Sequence, residues 1–132
     1  MRSDKSFASR LSIIIIFLNY WLPPFAYAAL IFYLSSLPGT TYFPQFFSAD
    51  KLLHLGEYGI LGYLLARALG CCHLRKKILF ITAFSGCLVY GISDELHQLF
   101  VPHRCTSIMD VIADGVGSFT GIWIYNKQKG IL

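Results

Sequence analysis

Four long apolar stretches, separated by short polar breaks, account for nearly the whole chain. They are "LSIIIIFLNYWLPPFAYAALIFYL" (Leu11 to Leu34), "KLLHLGEYGILGYLLARALG" (Lys51 to Gly70), a third from Lys77 to about Leu99, and "SIMDVIADGVGSFTGIWIYN" (Ser107 to Asn126). Each reaches the length of about 20 largely apolar residues that a membrane-spanning helix requires. The pattern therefore predicts an all-α fold, a four-helix transmembrane bundle built as one domain over residues 1–132. Within the first stretch, Pro23-Pro24 favours a kink or a helix start, so regular helix is expected mainly from Trp21 onward, with Leu11 to Tyr20 along or entering the inner leaflet. A basic start, the apolar "LSIIIIFLNYWL" and the small "AYA" at Ala26 to Ala28 imitate a signal peptide. Apolar sequence continues through "ALIFYL" beyond that point, which favours an uncleaved first span.

Composition agrees with lipid as the solvent: 55% of residues are hydrophobic and 14% are charged. The cations then fix the orientation, because Lys and Arg of short loops stay on the cytoplasmic side. Arg2, Lys5 and Arg10 precede the first span; Arg67, Arg75, Lys76 and Lys77 lie between the second and third; Lys127 and Lys129 follow the fourth. Only Lys51 and Arg104 fall on the opposite side, so both termini are expected in the cytoplasm. The net charge of +4 is thus a topology signal. No basic face alternating with aromatics marks a nucleic-acid footprint, and no nucleic-acid partner is assigned. The four cysteines form no disulfide framework: Cys71 and Cys72 end the second span, Cys87 lies inside the third and Cys105 is in an outer loop.

The acids are distributed unevenly. Asp4 is placed inside, whereas Asp50, Glu57, Asp94, Glu95, Asp110 and Asp114 all belong to the outer ends of spans two, three and four. At about 100° per residue, Asp50, His54, Glu57 and Leu61 form one stripe with Tyr58 beside it, and Ser107, Asp110, Asp114, Gly117 and Gly121 form another. The third span offers a broader sector of Tyr90, Gly91, Asp94, Glu95, His97 and Gln98. An ionised group inside a span costs about 2.5 to 3.5 kcal/mol even on the mildest insertion scale. Three such faces must therefore meet one another or an outward-open polar chamber. Carboxylates so close need cations beside them, a bound positive ligand or protons. Gly117-x-x-x-Gly121 fits close helix packing better than a site.

Three uses of such a chamber remain open from the residues, the third and least favoured being cation movement or a bound metal, for which His54-x-x-Glu57 and Glu95-x-His97 contain suitable oxygen and nitrogen ligands. As a binding site, Lys51 and Arg104 would meet the phosphate or polar head of an amphipathic ligand, with Asp50, Tyr58, Gln98 and Asp114 lining it. As a catalytic site, Glu95 or Asp110, desolvated and paired with His54, would act as general acid or base. Neither His54-x-x-Glu57 nor Glu95-x-His97 has a metal-site spacing, so no metal and no cofactor is assigned. Confinement of the acids to one leaflet argues against an ion pathway.

These residues carry a family resemblance. "DKLLHLGEYGILG" (Asp50 to Gly62) and "ELHQLFVPHRCTSIMDVIADGVGSFTG" (Glu95 to Gly121) together resemble the VanZ-like family of small bacterial membrane proteins, named after a protein associated with teicoplanin resistance. The match to the family pattern falls on Asp50, Lys51, His54, Tyr58, Leu61, Gly62, Glu95, Gln98, Arg104, Asp110, Gly117 and Gly121, and extends over roughly Leu30 to Tyr125. At position 114 the family usually has Asn, and this chain has Asp. The resemblance implies a multi-pass protein of the bacterial inner membrane. Its implied partners are membrane lipids and a lipid-linked envelope precursor or lipoglycopeptide, with a contribution to teicoplanin resistance as the associated function.

Overall fold

The protein was analysed as a computed structural model, which describes residues 12–38, 47–104 and 106–130. The charges of the first ten residues, Leu11, most of the linker after Pro38, and Cys105 lie outside the described residues. Four helices are present among the described residues: α1 (Ser12–Ser35), α2 (Phe47–Gly70), α3 (Lys76–Gln98) and α4 (Ile108–Gln128). Helix α2 begins four residues before the expected Lys51, in the aromatic linker.

Regular helix in α1 does not wait for Trp21. It runs from Ser12, and a π-helical turn at Phe17–Trp21 leads directly into Pro23 and Pro24. Proline supplies no N–H and its ring crowds the carbonyl four residues earlier, so a wider turn just before the pair relieves the conflict without breaking the helix. The N-terminus of α4 is capped by Ser107, whose Oγ accepts from the Met109 N–H. Asp110 follows in the first turn, where the helix dipole favours negative charge.

Among the described residues, α1 and α3 are long and apolar enough to cross a membrane. His54, Glu57 and Arg67 in α2, and Asp110 and Asp114 in α4, dilute the hydropathy of the other two helices. The exterior is nonetheless apolar on all four, with Phe32, Leu53, Val89 and Ile112 at least half exposed. His54, Asp94, Glu95, Asp110 and Asp114 are buried. Such an inversion is unfavourable in water and natural in lipid.

Helices α2 and α4, which are not neighbours in sequence, make the most extensive pairing in the fold. Their seam is built from glycine. A Cβ on Gly121 would overlap the Gly59 carbonyl, one on Gly117 would overlap the Leu55 carbonyl, and one on Gly62 would lie 2.6 Å from the Ser118 carbonyl. This is the small-residue packing expected where helices associate without a hydrophobic drive. Helix α3 packs on both partners. Near the C-terminal ends of α2 and α4, Ala66, Leu69, Leu79, Ala83, Ile122 and Tyr125 form an apolar cluster, and nearer the polar layer Ile31, Tyr58, Leu61 and Cys87 form a second.

Helix α1 is peripheral. Only Pro24, Ile31 and Ser35 of its last fourteen residues are buried. Individual polar ties hold it: the Tyr90 hydroxyl donates to the Ala28 carbonyl at 2.6 Å, and the Arg67 guanidinium lies 4.9 Å from the Tyr20 ring centre.

Candidate functional site

The glycine seam brings the polar stripes of α2 and α4 face to face. Lys51 Nζ donates to Asp110 Oδ1 at 2.5 Å, with Asp110 almost fully buried and Lys51 one-fifth exposed. One turn deeper, His54 Nδ1–H donates to Asp114 Oδ1 at 2.9 Å, and both side chains are buried. Each bond joins a base of α2 to an acid of α4. The i, i+4 spacing of Asp50 and His54 places them on one face of α2, and a ligand-type atom of each lies within 4.8 Å of the other and of an Asp110 oxygen. Asp50 itself is exposed, at the rim.

Helix α3 closes the cluster with its last two turns. Glu95 Oε2 accepts from the backbone N–H of Ser107 at 3.1 Å, so this carboxylate ties the end of α3 to the start of α4. Its second oxygen, Oε1, is buried with no hydrogen-bond partner. Asp94 Oδ2 accepts from Gln98 Nε2 at 3.1 Å, one turn along the same helix. Asp94 Oδ1, Asp114 Oδ2 and the hydroxyl of the fully buried Tyr58 are likewise without partners. Gly91 is what admits them: a Cβ there would lie 2.8 Å from Asp114 Oδ2 and 3.3 Å from the Tyr58 ring. Buried polar atoms left unpaired cost about 1 to 3 kcal/mol each. These atoms are concentrated where α2, α3 and α4 meet.

Two of the polar side chains expected in the chamber make their bonds elsewhere. Arg104 donates through Nη2 to Leu34 O at 2.9 Å and through Nε to Leu37 O at 3.2 Å, binding two carbonyls at the end of α1, of which that of Leu34 also accepts from the Leu37 N–H. His97 faces the same helix, with Nε2 2.9 Å from Ser36 Oγ and its ring 4.6 Å from that of Phe32. It lay at the edge of the polar sector of its helix, and the packing of α1 claims that edge. Glu57 is half-buried below His54.

The structure thus brings together Asp50, Lys51, His54, Glu95, Asp110 and Asp114, places Tyr58, Asp94 and Gln98 beside them, and sets Arg104 on α1. Buried Ser118 was not singled out in the sequence, although it stands one turn after Asp114 on the same face of α4. Ser35 and Asn126 are also buried, and no periodic signal distinguishes them.

A family comparison gives this geometry its relatives. The VanZ/LLP1 family model matches residues 3–130 of the chain. The chain belongs to the VanZ/LLP1 family. Neither a curated protein nor a solved structure matches it. In this VanZ/LLP1 member the residues that carried the resemblance divide by task. Gly62, Gly117 and Gly121 make the seam, Arg104 anchors α1, and Asp50, Lys51, His54, Glu95 and Asp110 gather in the polar cluster. Asp114, the departure from the usual Asn, accepts the His54 hydrogen bond, a role that an amide oxygen also fills.

Proposed function

We propose that this VanZ/LLP1 protein is a multi-pass protein of the bacterial inner membrane that binds an amphipathic, lipid-linked envelope molecule on its outer side. All four helices span the bilayer with both termini in the cytoplasm, and the polar cluster opens outward. Lys51 meets the anionic head of the ligand. Asp50, Tyr58, Gln98 and Asp114 shape the chamber around it, and Arg104 positions the outer end of α1 beside it.

The observation that carries this reading is an apolar crease along the same pair of helices, α2 and α4, that holds the polar cluster. It occupies about 330 Å³ between α2 and α4, lined by Leu55, Gly59, Ile60, Tyr63, Gly117 and Gly121. Leu55 directly follows His54, and Gly117 lies about one turn beyond Asp114. A polar site and an apolar groove on one helix pair are the two features an amphipathic molecule requires. Sequestering such a molecule is also the route by which the protein would contribute to teicoplanin resistance.

A second reading rests on the His54–Asp114 pair. A buried carboxylate on one imidazole nitrogen is the arrangement that orients a histidine for general acid–base work. Glu95 or Asp110 then supplies the second proton-transfer group for a reaction on the same lipid-linked molecule.

Mass spectrometry of lipids retained after mild extraction tests the binding reading. Lys51→Met should selectively lose an anionic, lipid-linked species that the parent retains, while Arg104→Ala should reduce its amount by loosening α1. Identical lipid profiles for parent and Lys51→Met would sink the proposal. Turnover of the recovered species by the parent and not by His54→Gln would favour catalysis.

A further inference from the structure

We infer that Asp50, His54 and Asp110 form a site for a divalent transition-metal ion at the mouth of the polar cluster. Their ligand atoms converge within 4.8 Å of one another, with two residues from one face of α2 and one from α4 across the glycine seam. No local spacing announces such a site, because its third member comes from a helix some sixty residues away in sequence.

Three features favour a cation there. First, the imidazole is already oriented. Asp114 holds His54 through Nδ1, so Nε2 is the ring atom that would bind a metal on giving up its proton, the carboxylate–histidine arrangement that commonly supports a metal ligand. Second, among the described residues the carboxylates of Asp50, Asp110, Asp114 and Glu95 lie around the Lys51 ammonium and the His54 imidazole. Low-dielectric surroundings make that excess of negative charge costly without a further cation. Third, Glu95 is buried, its Oε1 is unpartnered, and it stands within electrostatic reach of His54, Asp110 and Lys51.

The donor set selects the ion. Carboxylate oxygens with one imidazole nitrogen suit Zn²⁺ or Mn²⁺, whereas Ca²⁺ and Mg²⁺ prefer oxygen alone. Exposure of Asp50 leaves one side of the site open to water or to an anionic group. Because Lys51 already contacts Asp110, an entering ion competes with the ammonium for that carboxylate. Removing Lys51 therefore strengthens metal binding, and removing Asp50 weakens it. Charge alone predicts both signs, so the loss of binding in His54→Gln and the preference over Ca²⁺ are what separate a built site from general negative charge.

The test is calorimetric titration of Zn²⁺, and separately of Mn²⁺, into the full chain in mild detergent without added lipid, so that its outcome does not depend on the lipid-binding reading. Cys71→Ser and Cys72→Ser are included in the background, because these thiols lie 3.9 Å apart and would bind zinc themselves. One ion per chain is expected, with Ca²⁺ binding far more weakly. Asp50→Asn, an exposed change that leaves the bundle intact, should weaken binding about tenfold, and Asp114→Ala about 10- to 100-fold. His54→Gln should abolish binding, and Lys51→Met should tighten it. Absence of saturable binding, or an Asp50→Asn isotherm equal to that of the parent, would overturn the inference.

Discussion

Replacing a single hydrogen by a methyl group at Gly121 should test the architecture more sharply than removing any charge. The Cβ of Gly121→Ala would meet the Gly59 carbonyl oxygen and carbon and the Tyr63 nitrogen, all backbone atoms that no rotamer change can move. Helices α2 and α4 must then part, at an overpacking cost of about 1 to 3 kcal/mol or more. Against this stands the helix preference of alanine over glycine, about 1 kcal/mol at most. Gly115→Ala, on the same helix, is the internal control, because nothing lies within 4 Å of a Cβ built there. It gains the propensity term without the clash. Reversible unfolding in mixed detergent micelles, followed by circular dichroism, should therefore place Gly121→Ala below the parent and Gly115→Ala at or above it, about 1 to 3 kcal/mol apart, because the propensity gain is common to both. Equal stabilities would refute the seam as the contact that organises the bundle.

Other outcomes follow from the polar cluster and the orientation. Lys51→Met should destabilise the protein by about 2 kcal/mol by stranding the buried Asp110, and adding Asp110→Asn should recover much of that loss in a double-mutant cycle. Asp114→Asn retains an acceptor for His54 and should fold nearly as well as the parent, whereas Asp114→Ala should lose about 1 to 2 kcal/mol in the same unfolding assay. In a Cys105→Ser background, a membrane-impermeant maleimide should label Cys72 only after the inner face is made accessible. Cys71 should lag behind it, because burial, and then the adjacent Cys72 thiol, raises its pKa above the ordinary thiol value. Buried Cys87 should stay unlabelled until the protein unfolds, and labelling of Cys72 from outside intact cells would reverse the topology.

Helix number and phase were legible in the sequence because both are periodic properties of contiguous residues. The stripe of Asp50 and His54 and that of Asp110 and Asp114 emerged from a count of residues per turn. What the periodicity lacked was pairing. Nothing in either stripe states that α2 and α4 pack most closely, and the glycines that decide it act through backbone distance. Arg104 illustrates the same gap: its charge suggested a ligand-binding role, yet its hydrogen bonds go to the carbonyls of Leu34 and Leu37, a demand set by where α1 ends. The convergence of Asp50, His54 and Asp110 was invisible for the related reason that a site across two helices has no spacing in one dimension.

The closeness of α2 and α4 also acts as a ruler. Ordinary helix pairs stand about 8 to 10 Å apart, and a shorter separation rewards short acids opposite longer bases. Asp110 opposite Lys51 and Asp114 opposite His54 follow that rule. A glutamate at either position would keep the charge yet carry its carboxylate one methylene too far, into the base or the seam behind it. At these two positions the bundle discriminates by length before it discriminates by sign, so a charge-preserving exchange is the less conservative choice and the amide of equal size is the more conservative one.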